Sequence, residues 1–491
     1  MSTKLTLQNH KTFLLLFFFL VTFIGNAQIG IGTTTPDATS ILDITSTTKG
    51  MLAPRMTTVQ RNAITTPAQG LLVYDTDLKL FYYYSTPSGW LPLLNSSVGR
   101  TNFKRVKSAA DLAPELLAGG SVYQLSSNTL YEINGSITLA APINLNDAYV
   151  TGIDTNEDIL TFPGGIIFSG SSGGSIRNVT LKAAARAFNI TGGTSLLVQN
   201  TIIDGMTTNV GTIANVGLYF GNIIQFVNNT SGITYSAIGS LLLNNQAWTS
   251  SNNGTFETFT GIFWLIEKNS GFSTVDGSDL AMDVSASDLS VGTGTLLGTV
   301  FSGTTTNTAG YVKGYPAAST YTGFLFSNAW TVDSPGIPKE SDADATGDIN
   351  LNAPVGSGIS STFSAGTGTS TRRKVAGTTT SNNLFRFAKD GDNRIVYKGT
   401  KTRYFQVAAS VSYQTNTDAT LILYIAKNNI VLTETKVYGK GGGGLLSTSP
   451  IIALPIIGAV QMKTNDFIEI WVERFDGTAT MSTVSLNLTA R

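Results

Sequence analysis

Five asparagines, Asn156, Asn178, Asn200, Asn222 and Asn244, recur at intervals of 22 residues. The last four sit in similar surroundings: SIRNVTL, LLVQNTI, LYFGNII and LLLNNQA. Each of those four follows, by two positions, an apolar residue: Ile176, Val198, Phe220 or Leu242. A period of about 20–25 residues, built from short β-runs and Gly/Asn turns, marks a solenoid, because one such unit cannot bury its apolar face without stacking on its neighbours. The expected architecture is a right-handed parallel β-helix in which each coil adds a layer of about 4.8 Å. The apolar column should lie inside. The five asparagines should form a structural amide ladder along the axis, each satisfying its neighbours' polar groups. As ordinary turn formers they would need no such partners.

The ends of the chain bound its setting. Lys4, His10 and Lys11 precede an apolar run, Phe13 to Ile24, and Gly25-Asn26-Ala27 offers small residues before Gln28. That order reads as a secretory signal peptide over residues 1–27, the run being short of the roughly 20 residues a membrane span needs. The expectation is an exported chain, extracellular or on the outer cell surface, with no transmembrane segment once cut. The sequence has no cysteine, and its one histidine is His10. Beyond residue 27, imidazole-based triads and zinc sites are therefore excluded. With 31 basic and 31 acidic residues, no bulk charge attracts nucleic acid.

Three further segments complete an all-β plan. Residues 28–98 open IGIGTTTPDATSILD and continue KGMLAPRMTTVQRNAI and GLLVYDTD. Local signals place a strand at 41–44, a helical turn over 57–64, and a hairpin from 70–74 to 79–84 closed by Trp90. This segment resembles the N-terminal module of exported Bacteroidetes surface proteins and phage fibres, which implies an attachment or connector role. Residues 99–335 hold the β-helix, opened by a short helix from a Ser108/Asp111 capping box to Leu117, and ending in an irregular β section after Trp248. Residues 336–380, rich in Pro, Gly and Asp, read as a linker. Residues 381–491 alternate strands and turns. Their YFQVAASVSY, ATLILYIAKNNIVL and TNDFIEIWVERFDG resemble the C1q/TNF-like jelly roll, a β-sandwich that in that family is trimeric. The β-helix itself resembles the tailspike and pectate-lyase type.

Candidate chemistry is sparse. Asp154, Glu157 and Asp158 form the tight acidic cluster of the helical region; paired carboxylates are what a polysaccharide-cleaving enzyme would need. Solenoid turns are commonly acidic, so the cluster is expected to be structural. Asp342, Asp344 and Asp348 lack the spacing of a calcium loop, since Thr346 and Ala353 stand where ligands belong. They read as solvated linker. The glycines from Gly441 to Gly444 lack the helix and Lys-Ser/Thr of a phosphate loop. No catalytic residue, metal or cofactor is expected.

The sequence thus points to an exported modular fibre or adhesin, a homotrimer that recognises a glycan or surface polymer multivalently. Two alternatives stay open: an extracellular polysaccharide-degrading β-helix lyase or hydrolase, and a phage-derived, tail-fibre-like receptor-binding protein.

Overall fold

The structure, a computed structural model, describes residues 11, 13–14, 28–93, 101–442, 449–477 and 480–491. Most of the expected signal peptide and part of the 441–444 glycine run lie outside the described residues. The chain divides into two compact units, Met1–Arg100 and Thr101–Arg491. Among the described residues, no helix is long and apolar enough to cross a membrane.

In the first unit, Ile29–Ile31 pairs in parallel with Leu42–Ile44. Arg55–Met56 and the strands Leu72–Asp75, Leu80–Ser85 and Gly89–Pro92 form a four-stranded sheet. The helix Thr58–Asn62 starts where the sequence places it. The Thr57 hydroxyl accepts from Gln60 N, and Gln60 Oε1 accepts from Thr57 N, closing a capping box. The centre of this small core is polar. Buried Arg61 sets its Nε 3.1 Å from Asp75 and its guanidinium 3.8 Å from the Tyr82 ring centroid.

The second unit opens with the parallel β-solenoid. One sheet runs from Phe103–Val106 through Leu130–Ile133, Tyr149–Thr151, Gly174–Arg177, Gly193–Asp204, Val216–Val227, Ser240–Trp248, Ile262–Gly277 and Ser290–Leu297 to Trp330–Asp333. A second stacks from Tyr123–Gln124 to Val312–Lys313, and every pairing within both sheets is parallel. The first edge is covered by the helix Ala113–Gly119, ended at Gly120 by its N–H on Leu116 O (2.8 Å). Leu112, beside it, enters the core. The solenoid does not stop at Trp248. Its coils lengthen, from 22 residues (Asn222 to Asn244) to 25 (Asn244 to Asn269), 28 (Asn269 to Leu297) and 36 (Leu297 to Asp333), which erases the period without ending the stack.

The expected interior column is corrected in part. Ile176 pairs with Val198, and both are fully buried. Val198, however, pairs with Gly221, and Gly221 with Leu243. Phe220 stacks between Leu197 and Leu242 on the outer side and is only part-buried. That coil holds one extra residue, and a one-residue slip turns a strand's side chains to the opposite face.

Two antiparallel sheets form the C-terminal part, consistent with a β-sandwich. One contains Thr346–Asn352, Arg403–Thr415, Ile452–Met462 and Thr480–Ala490; the other contains Ile395–Tyr397, Ala419–Lys427 and Phe467–Gly477. Ile468, Ile470 and Val472 fill the core between them, as strand alternation requires. The stretch expected as a linker contributes strands instead. Thr346–Asn352 and Ile359–Thr362 pair with Thr480–Ala490, and Arg373–Lys374 pairs with Phe467–Gly477. Pro354, Gly356 and Gly358 lie in the connection between Thr346–Asn352 and Ile359–Thr362, whereas Gly347 and Asp348 are within the first of these strands.

Candidate functional site

The acidic cluster lies in the turn between Tyr149–Thr151 and Ile159–Thr161. Asp158 is buried and accepts from Gly135 N (2.8 Å), Ile153 N (2.6 Å) and Asp154 N (3.0 Å). Burial alone would raise its carboxyl, but these backbone donors outweigh that and hold it below the ordinary value. Asp154 accepts from the backbone and side chain of Asn156 (2.8 and 3.0 Å), and Glu157 is exposed. Asp158 is thus occupied in shaping the turn, and an acid held in the ionised state is a poor proton donor.

The asparagines separate into two columns. Asn178 and Asn200 meet: Asn200 Nδ2 donates to Asn178 Oδ1 at 3.1 Å. Both have left-handed backbone, φ +52° and +47°, and the same bend passes upward through Ile223, Asn245 and Ser270 at +54°, +49° and +59°. Asn222 and Asn244 pair with each other one position earlier, in register with Gln199. Asn156 stands outside both columns, on the acidic turn. The bend column explains its asparagines: asparagine tolerates a positive φ better than most residues, whereas β-branched Ile223 is strained there.

An ion pair inside the solenoid escaped sequence reasoning. Lys268 Nζ lies 2.9 Å from Glu257 Oε1, with both side chains almost wholly enclosed. The ammonium also sits 5.2 Å from the Phe256 ring centroid. Burial raises the Glu257 carboxyl, and Lys268 only partly offsets it. Lys268 shares the strand face of buried Ile266, and that parity was the available signal.

Asp342 and Asp348 are buried, not solvated. Asp342 accepts from Arg386, Thr400 N (2.9 Å), Thr400 Oγ1 (3.0 Å) and Lys401 N (2.7 Å). Arg386 Nη2 donates in turn to Trp330 O at 2.6 Å, and Asn328 Nδ2 to Lys398 O at 2.9 Å. The last solenoid coil and the sandwich are therefore joined by the bonds of buried Arg386 to Trp330 O and of Asn328 to Lys398 O. Among the described residues, no group of three His, Cys, Asp or Glu side chains is placed to hold a metal ion.

The first unit offers a different kind of site. Ile29, Ile31, Ile41, Met51, Leu52 and Val59 are all more than half exposed on its 66 described residues from 28 to 93. So many exposed apolar side chains on so small a unit would suit association with further chains.

Comparison with known proteins bears on that unit. Residues 30–104 match the family described as "Phage tail like trimerisation region". The N-terminal part of the chain is in this respect phage-tail-like. Two solved structures are also similar: the enzymatically active domain of tailspike protein 4 of Bacteriophage CBA120 (10% identity, 90% of this chain and 77% of that chain covered, TM-score 0.19), and that of its tailspike protein 2 (10% identity, 88% and 89% covered, TM-score 0.20). The solenoid assignment rests on the strand registers above. No curated protein matches the sequence.

Proposed function

We propose that this chain is an exported, homotrimeric surface fibre or adhesin that binds a glycan or other surface polymer multivalently. The observation that carries the reading is the coincidence, over residues 30–93, of the trimerisation-region match with the exposed apolar side chains of the first unit. Three chains closing about a common axis would cover those side chains and set three copies of each later surface side by side. The solenoid would then act as a shaft and the sandwich, in the manner of a C1q/TNF-like jelly roll, as a head. Buried Arg386, held by Asp342 and donating to Trp330 O of the last solenoid strand, supports a stiff connection between them, which favours avidity because it limits the conformational freedom lost on multipoint binding. Recognition is preferred to cleavage because Asp158 is spent on the backbone of its own turn.

The test compares the chain with a variant carrying Leu52→Asp and Val59→Asp, by retention on polysaccharide-coated beads together with reducing-sugar release. The expected result is retention by the parent chain, a loss of one to two orders of magnitude in apparent affinity for the variant, and no sugar released. Steady sugar release by the parent would overturn the reading in favour of a depolymerase.

A further inference from the structure

A cavity of about 600 Å3 opens where the last solenoid segment meets the sandwich. That volume lies within the range of about 300–1,000 Å3 common for small-molecule sites. Its walls combine Tyr321, Phe324 and Phe385 with Ser381, Asn382 and Asn383. Phe324 stacks on Phe385 with ring centroids 3.8 Å apart and planes at 11°, and Tyr321 meets Phe385 edge-on at 5.6 Å. Phe385 is the buried floor, Tyr321 and Phe324 are half-buried, and the two asparagines are exposed.

Both walls are held from behind. The buried Asp348 carboxylate accepts from Ser381 Oγ (3.1 Å) and from the backbone N–H groups of Asn382 (3.3 Å) and Asn383 (2.7 Å). Buried Glu340 accepts from Leu325 N (2.6 Å) and Phe326 N (3.0 Å), fixing the aromatic segment. The nearby charges are thus spent in the scaffold, and among the described residues no carboxylate, ammonium or guanidinium group lines the cavity itself. What lines the cavity is an aromatic cluster, part-exposed Tyr321 and Phe324 over buried Phe385, with amides and hydroxyls beside it.

We infer that this cavity is a binding site for an uncharged saccharide, a short stretch of a neutral polysaccharide. A sugar ring has the complementary surface: C–H faces that pack on aromatic rings, and a rim of hydroxyls that both donate and accept. The exposed amide of Asn382 can answer a hydroxyl in either sense, while Asn383, whose Nδ2 donates to Asp348 at 3.5 Å, offers its Oδ1 as an acceptor. An anionic polymer would find no cation here to offset its desolvation. The inference rests on the polymer-binding reading and gives it a place and a ligand class. Preformed walls would keep the ordering cost of binding low.

The test measures binding of the full chain to immobilised dextran and mannan as neutral probes and to alginate and polygalacturonate as acidic ones. Two variants accompany it: Asn382→Ala, and Thr322→Arg, which plugs the cavity from an exposed position while leaving the Phe324–Phe385 stack intact. The expected result is binding to a neutral probe, weakened at least tenfold in both variants with unchanged melting temperature. Neutral-polymer binding that both variants retain would overturn the site while leaving polymer recognition standing. Binding to acidic probes alone would overturn the ligand class. No binding to any of the four would overturn this inference and the reading beneath it together.

Discussion

Leu242 and Leu243 are neighbours of the same residue type on opposite faces of one strand, which makes them a sensitive test of the solenoid register. Leu243 is 1% exposed, in the interior column with Gly221 and Lys268. Truncating it to alanine removes buried methyl groups and leaves a cavity that close-packed coils above and below cannot fill. The expected loss is about 2–5 kcal/mol. Leu242 sits in the outer column between Phe220 and Glu267 and is only part-buried. Its truncation forfeits a fraction of the transfer free energy and opens no enclosed cavity, so the loss should be about 0.5–1.5 kcal/mol. The two substitutions change backbone propensity and the unfolded chain almost identically, so the difference between them isolates the face. Between the centres of the two ranges it is about 2.5 kcal/mol, well above the roughly 1.4 kcal/mol that makes a factor of ten in the unfolding equilibrium. Denaturant midpoints at matched m-values measure it. Equal losses, or a larger loss at Leu242, would refute the register.

Other substitutions probe features away from that strand. Ile223→Asn should raise stability by about 1 kcal/mol in thermal melts, since it relieves a β-branched residue at φ +54° whose side chain is 53% exposed. Lys268→Met should cost about 3–5 kcal/mol by stranding Glu257, and adding Glu257→Leu should recover most of it. Asp342→Ala should cost a similar amount, read as a lower unfolding midpoint. Burial would raise the Asp342 carboxyl, but Arg386, Lys401 N–H and the Thr400 hydroxyl hold it below the ordinary 3.8. Its contribution is therefore fully present above that value and lost as pH falls below about 4, which an acid titration of stability in parent and Asp342→Ala chains should show as a vanishing difference.

What the sequence disclosed was mostly local. The Thr57/Gln60 capping box and the Leu72–Ser85 hairpin follow from adjacent residues, and they stand where those residues place them. The solenoid was visible because its repeat is a property of the chain alone. Its register was not: one extra residue between Val198 and Gly221 keeps the asparagine spacing at 22 while moving Phe220 outward. The same slip splits the asparagines, because the bend follows the backbone's left-handed position, held by Asn200 and then Ile223, and not the residue type. Pairings across long separations were least legible. Nothing near Thr346–Asn352 signals that it lies beside Thr480–Ala490, so a strand read as linker, and the buried Asp342 and Asp348 read as solvated. The junction cavity shares this origin, since its aromatic wall and its amide wall are about 60 residues apart along the chain.

Sedimentation equilibrium on the full chain, and on a chain lacking residues 28–98, tests the trimeric account most directly. The account predicts a single species at three times the monomer mass, which is 51.9 kDa for the uncut 491 residues and less once residues 1–27 are removed, and a clear fall in trimer stability once residues 28–98 are removed. A full chain that sediments as a monomer at micromolar concentration would contradict it, and the multivalent mechanism would go with it.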